Sequence, residues 1–274
     1  NVELAQKNVL ITQQKQEITD SIHYAKRIQT GLLPPEEHVS ADMPEHFVLF
    51  KPKDIVSGDF HWATKKDGYI IITAADCTGH GVPGAFMSML GVSFLNEIVN
   101  DKGITASNEI LNNLREYVIS ALQQTGKQGE QKDWMDMALC SLDKNNGKLQ
   151  FSGANNPLYL IRNGELTETK GDKMPVAIHL KMADFTRHDI AVQPGDTFYM
   201  FSDGFADQFG GPAGKKFKYI AFKSLLLEIR ELPMKEQKQR LDKAISEWMA
   251  HVNRDTGEVY EQIDDICVIG IRIG

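Results

Sequence analysis

Cysteine is scarce in this chain: Cys77, Cys140 and Cys267 are the only three in 274 residues. They are far apart, odd in number and set in apolar segments, which excludes a disulfide framework and a zinc site built from paired cysteines. Reduced thiols and a cytoplasmic setting are the expectation. Long apolar runs are missing too, so no uninterrupted stretch spans a bilayer, and residues 1–15 are too polar for a secretory signal. No membrane contact by this segment is expected. Nor is there a dense Lys/Arg tract: 37 acidic residues face 30 basic ones, a net charge of −7, which argues against binding nucleic acid. The sequence does not open with Met, and a longer parent protein is expected, with a sensor region, or even a membrane anchor, upstream.

Proline is absent before Pro34, and Gly31 is the only earlier glycine. Helix-favouring Lys, Gln, Glu, Leu and Ile dominate residues 1–33, so one long helix is predicted, stopped by Pro34-Pro35. Leu4, Ile11, Ile18, Ala25 and Leu32 recur every seven residues, while Lys7, Asn8, Gln14 and Lys15 spoil the companion seam. Two readings are open: a coiled-coil homodimer, or packing of residues 18–33 on the chain's own domain. Residues 34–274 form the second unit.

That second unit has 42% hydrophobic residues across the whole chain to draw on, enough for a substantial core. Residues 69–75 are a continuous apolar run, as in a strand covered on both faces, and 46–51 alternate. Helical spacing marks 84–99, 107–123, 217–230 and 233–251. Strand-like segments lie at 137–142, 149–153, 158–162, 198–202 and 266–272, parted by turn signals such as Asn163-Gly164. Residues 125–133 read as a loop or flap, and Asp67-Gly68 as a hairpin turn. Short connections favour antiparallel pairing. The fold class that follows is α+β: an antiparallel β-sandwich flanked by helix pairs, in αββα layers, preceded by the long helix.

Against this frame stand four aspartate-bearing turns, at Asp59, Asp76, Asp203 and Asp264. Any one Asp-Gly pair taken singly is a common turn. Four of them at the ends of strand-like runs suggest carboxylates converging on hard cations, which take oxygen ligands.

The wording of these turns is specific. Val56-Ser57-Gly58-Asp59-Phe60, then Ala75-Asp76-Cys77-Thr78-Gly79-His80-Gly81-Val82-Pro83-Gly84-Ala85, then Phe201-Ser202-Asp203-Gly204, then Asp264-Asp265-Ile266-Cys267 occur in this order. From about Ile18 to the C-terminus the chain resembles the metal-dependent protein phosphatases of the PPM class, in their bacterial SpoIIE-like and RsbU-like branch. The tract from Ser152 to Leu160 looks like that branch's central hairpin. The resemblance implies hydrolysis of phosphoserine or phosphothreonine on a signalling protein, an anti-sigma-factor antagonist, by water activated between two Mn²⁺ or Mg²⁺ ions. It implies that Asp76 bridges both ions, that Asp203 and Asp264 complete one site, and that Asp59 and the Cys77 carbonyl hold the other. Asp136, Asp207, Asp265 and His80 are placed around this set, in supporting positions or on an additional ion. No basic residue matches the phosphate-binding arginine of eukaryotic members. The competing expectation is a catalytically weak module that binds a partner and dimerises through its first helix.

Overall fold

The computed structural model describes residues 2–32, 43–127, 133–143, 146–253 and 256–274. The predicted helix stop at Pro34-Pro35, the boundary between the two units, and most of the 125–133 flap lie outside them. Helix α1 (Val2–Leu32) runs almost the full predicted length, and none of its residues is buried.

The rest is four layers. Strands β1 (Glu45–Lys51), β2 (Phe60–Lys66) and β3 (Tyr69–Cys77) lead to helices α2 (Gly81–Leu95) and α3 (Ser107–Ala121). Six strands follow: β4 (Met135–Asp143), β5 (Lys148–Ala154), β6 (Leu158–Arg162), β7 (Glu165–Thr169), β8 (His188–Ala191) and β9 (Thr197–Phe201). A short turn of helix α4 (Gly204–Asp207), a small hairpin β10 (Phe209–Gly210) and β11 (Lys215–Lys216), helices α5 (Tyr219–Ile229) and α6 (Met234–Met249), and β12 (Ile266–Arg272) complete the chain. One five-stranded sheet has the order β2-β3-β4-β5-β8 and the other β1-β12-β9-β6-β7, all neighbours antiparallel.

The alternation of side chains along β3 explains why its run is continuously apolar. Ile71, Ala75 and Cys77 face α2 and α3 together with Leu95, Ile110 and Leu114. Ile70, Ile72 and Ala74 face the other sheet, against Phe198, Met200, Cys267 and Ile269. On the far side of that sheet, Phe47, Tyr199, Phe201 and Val268 pack on Phe222, Leu226 and Leu241 of α5 and α6. Strands covered on both faces have no polar side to display.

Three features depart from expectation. The segments 149–153 and 158–162 read as adjacent strands of one hairpin, yet β5 and β6 lie in opposite sheets. Asn155-Asn156-Pro157 carries the chain across, with Asn155 at φ 58°. Helix α2 ends in a π-helical stretch, Asn96–Asp101, where Asn96 Oδ1 accepts from the buried Trp62 indole at 3.1 Å. Together Gly81–Asp101 is long and apolar enough by composition to cross a membrane, but half of it is buried, supplying one face of the core. The Asp67-Gly68 turn is as expected, with both residues at positive φ between β2 and β3.

Candidate active site

The same two-residue period that builds the sandwich places acids at its mouth. On β3, Asp76 follows Ala74 on the face turned to the other sheet, and it is the register partner of Asp136 on β4. From the opposite sheet, Asp203 follows the end of β9 and Asp264 precedes β12. Their strands are tied by Ser202, whose N–H donates to the Cys267 carbonyl at 2.9 Å and whose hydroxyl accepts from the Cys267 N–H at 3.0 Å.

Asp59 arrives on the loop between β1 and β2. That loop is folded over the acid Asp265, which accepts from the backbone N–H of Lys53 at 2.7 Å, Gly58 at 2.8 Å and Asp59 at 3.4 Å. Asp265 therefore points away from the open mouth and holds the loop. Two glycines make the close approach possible. A Cβ on Gly58 would lie 2.4 Å from the Gly79 carbonyl oxygen and 3.2 Å from that of Cys77, and a Cβ on Gly84 would lie 2.2 Å from the Gly79 oxygen.

The electrostatics are those of crowded anions. Burial, then the neighbouring Asp76, pushes the Asp59 carboxyl well up; a hydrogen bond from Ser202 opposes this. Burial and then Asp203 and Asp264 do the same to Asp76, which shares a hydrogen bond with Asp203. Burial, then Asp264, raises Asp203. Asp264 is raised chiefly by burial too, with Lys53 and His80 acting in the opposite sense. Asp136 is pushed up to about 6 by burial, although Asn155 Nδ2 donates to it at 2.7 Å. Two like charges at about 4 Å repel by roughly 4 kcal/mol at an effective dielectric of 20.

A divalent cation would relieve this repulsion, and the donor set fits one. It consists of carboxylate oxygens and nearby backbone carbonyls, the ligands hard cations take. Asp59 Oδ2 is buried with no hydrogen-bond partner. Among the described residues, no three His, Cys, Asp or Glu side chains are gathered closely enough to hold an ion as they stand.

The remaining predicted residues separate. Cys77 is buried and its thiol is pushed well up by burial; only its carbonyl faces the Gly58 loop. Asp207 is paired with Lys216 at 2.7 Å. His80 stands at the rim, its Nδ1 2.7 Å from Asp54 Oδ2. Sequence reasoning missed Asp54, Lys53, Asn155, Gln29 and Tyr219. Tyr219, on the first turn of α5, is held protonated by burial and by Asp203, Asp207, Asp76 and Asp136. It carries no local signal, whereas Lys53-Asp54 could have been found as charged residues just ahead of the Gly58-Asp59 turn.

A two-sheet αββα sandwich with acids gathered at one end is the architecture of PP2C-type protein serine/threonine phosphatases. The SiaA PP2C domain of Pseudomonas aeruginosa superposes with a TM-score of 0.82 at 32% identity, covering 95% of this chain and 98% of that one. The Bacillus subtilis SpoIIE phosphatase domain with part of its regulatory domain gives 0.64 at 16% identity. The RsbU and RsbW domains of a Mycobacterium tuberculosis protein give 0.62 at 18%. Each of these two covers 84% of this chain and is itself covered over 61% and 60% of its length, and at such identities the likeness is one of fold. The family described as Stage II sporulation protein E (SpoIIE) matches residues 66–274. No curated protein matches. The chain belongs to the SpoIIE family and is a protein serine/threonine phosphatase by class.

Proposed function

We propose that this domain hydrolyses phosphoserine or phosphothreonine on a small signalling phosphoprotein, an anti-sigma-factor antagonist, with two Mn²⁺ or Mg²⁺ ions as cofactors. The observation that carries this reading is the convergence of Asp59, Asp76, Asp203 and Asp264 from both sheets, with an orphaned carboxylate oxygen on Asp59.

Repulsion from Asp76 helps to raise Asp59, and repulsion from Asp203 and Asp264 helps to raise Asp76, so Asp76 interacts with every other member of the set. It would be shared between both ions, Asp203 and Asp264 serving one, Asp59 and the Cys77 carbonyl the other. Such a pair supplies a water of lowered pKa and offsets charge on the phosphate oxygens. The protein's own part is positional. Asp265 fixes the Asp59 loop, Ser202 locks β9 to β12, and Asn155 orients Asp136. Asp136 and Asp207 are the groups left to serve an additional ion, Asp207 only by giving up Lys216.

Incubating the purified domain with Mn²⁺ and a phosphoserine protein tests the reading. Metal-dependent phosphate release, lost in Asp76→Asn with the fold retained, is the expected result. No release from folded wild-type protein would leave the partner-binding module instead.

Helix α1 fits a regulatory place in a longer protein. It exposes Leu4, Ile11 and Ile18, seven residues apart on one face, and Gln29 near its end bonds the Ser57 carbonyl of the domain. Pairing with a second copy through this face, under an upstream sensor, is the arrangement we favour. Sedimentation of the domain with and without residues 1–12 checks it, and an unchanged oligomeric state would count against a dimer.

A further inference from the structure

The acidic mouth must receive a phosphate monoester, itself an anion. Metal ions answer much of that repulsion, but a phosphate also has outward-facing oxygens that a protein cation can reach. Two lysines act on the cluster, Lys53 on Asp264 and Lys216 on Asp203, and the His80 ring stands beside Lys53. Lys216 is occupied by Asp207 at 2.7 Å. His80 is turned toward Asp54 at 2.7 Å, and the two side chains are 54% and 44% exposed, so this pair sits at the open rim. Lys53 alone has no carboxylate partner among the described residues.

Its position is nevertheless fixed. Pro52 precedes it, and its N–H is held by Asp265, the acid that also clamps Gly58 and Asp59. At the far end, Nζ stands 3.2 Å from His80 Nε2. With the ring as the Nδ1–H tautomer, Nδ1 donates to Asp54 and Nε2 accepts from the ammonium. The chain Asp54, His80, Lys53 thus ends in a positive charge whose acceptor is a neutral nitrogen. Exchanging that nitrogen for a phosphate oxygen replaces a moderate hydrogen bond by one in which both partners are charged.

We propose that Lys53, poised at the rim by Asp54 and His80, is the residue that grips the non-bridging oxygens of the substrate's phosphate. The inference rests on the phosphatase reading of the acidic mouth and adds a specificity-determining cation to it. His80 and Asp54 are positioning residues in this arrangement. Lysine rather than arginine suits a rim site, since a flexible ammonium follows the phosphate in and out.

The test uses the Mn²⁺-saturated domain as wild type, Lys53→Met and Lys53→Arg. An aryl phosphate gives KM and kcat, and calorimetry gives the affinities for inorganic phosphate and for Mn²⁺. Lys53→Met is expected to raise KM and the phosphate dissociation constant about tenfold, with kcat within about threefold and Mn²⁺ affinity unchanged, as loss of one charge-assisted contact requires. Lys53→Arg should recover most of the loss, and His80→Ala should give an intermediate KM. Equal phosphate affinity in wild type and Lys53→Met overturns the proposal. So does a defect that follows Mn²⁺ affinity, which would mean that the lysine acts through Asp264. Should wild type release no phosphate from the ester, the phosphatase reading fails separately, and phosphate calorimetry still decides the role of Lys53.

Discussion

Gln29 clasps Ser57 from both sides of its backbone. Nε2 of the glutamine donates to the Ser57 carbonyl at 2.6 Å, and Oε1 accepts from the Ser57 N–H at 3.2 Å. The same Nε2 lies 2.7 Å from the Ser88 hydroxyl on α2. A helix with no buried residue is thereby tied to a segment two residues from Asp59. Gln29→Leu should leave the domain folded, costing about 1–2 kcal/mol in thermal unfolding for the lost hydrogen bonds. The Mn²⁺ concentration for half-maximal phosphatase activity should rise several-fold, because the Asp59 loop loses one of its anchors. Unchanged Mn²⁺ dependence would show that α1 does not influence the loop.

Asp265 is a second anchor, with three backbone N–H groups converging on one buried carboxylate. Asp265→Ala leaves those donors without partners inside the protein, so a loss of about 3 kcal/mol or more is expected. Asp265→Asn keeps acceptor capacity on one atom only and should fall between. Chemical denaturation of the metal-free protein measures both. A loss below about 1 kcal/mol in the alanine variant would mean that water replaces the carboxylate.

How far the sequence foretold this molecule follows from where its signals are local. The β3 run, the spacing of α2 and α3, and the alternation at 46–51 report burial directly, and each element appears where its pattern lies. Strand β2 was hidden because His61, Thr64, Lys65 and Lys66 break its apolar face, and β7 and β8 because they are exposed edge strands. The jump from β5 to β6 was illegible, since a hairpin and a crossover both begin with turn residues. Asp59, Asp76, Asp203 and Asp264 were visible as turns, but their meeting depends on strand register. Gln29 and Lys53 act through partners 28 and 27 positions away or more, and no local pattern encodes that distance.

Gly84 and Gly58 stack against the Gly79 carbonyl, and Gly84 lies in the first turn of α2, which begins at Gly81. Gly84→Ala would force a methyl group to 2.2 Å from that oxygen and 2.8 Å from Gly58 Cα. Backbone must shift, since neither neighbour is a flexible side chain. Activity should fall more than tenfold, with unfolding destabilised by about 2 kcal/mol. A crystal structure of the variant should show the Gly58–Asp59 loop displaced; wild-type activity with an unmoved loop would refute the packing argument.

The crowded carboxyls set a pH dependence whose sign is opposite to ordinary acid denaturation. Asp136 titrates at about 6 in the folded chain against 3.8 as a free side chain, and Asp59, Asp76, Asp203 and Asp264 are displaced in the same direction. A raised carboxyl binds protons more tightly folded than unfolded, so unfolding releases protons and stability falls as pH rises. For Asp136 the window runs from about 4 to about 6, and the full penalty, on the order of 3 kcal/mol, applies above it. In EDTA, the melting temperature should therefore decline between pH 5 and pH 7. With Mn²⁺ the trend should reverse, because cations and protons compete for the same oxygens and the metal gains as protons leave. Asp76→Asn should raise the melting temperature in EDTA at pH 7 by removing the central charge, while abolishing the stabilisation by Mn²⁺. Parallel thermal scans at each pH, with and without metal, read both effects. A melting temperature in EDTA that climbs from pH 5 to pH 7 would mean that these acids are not mutually buried in solution.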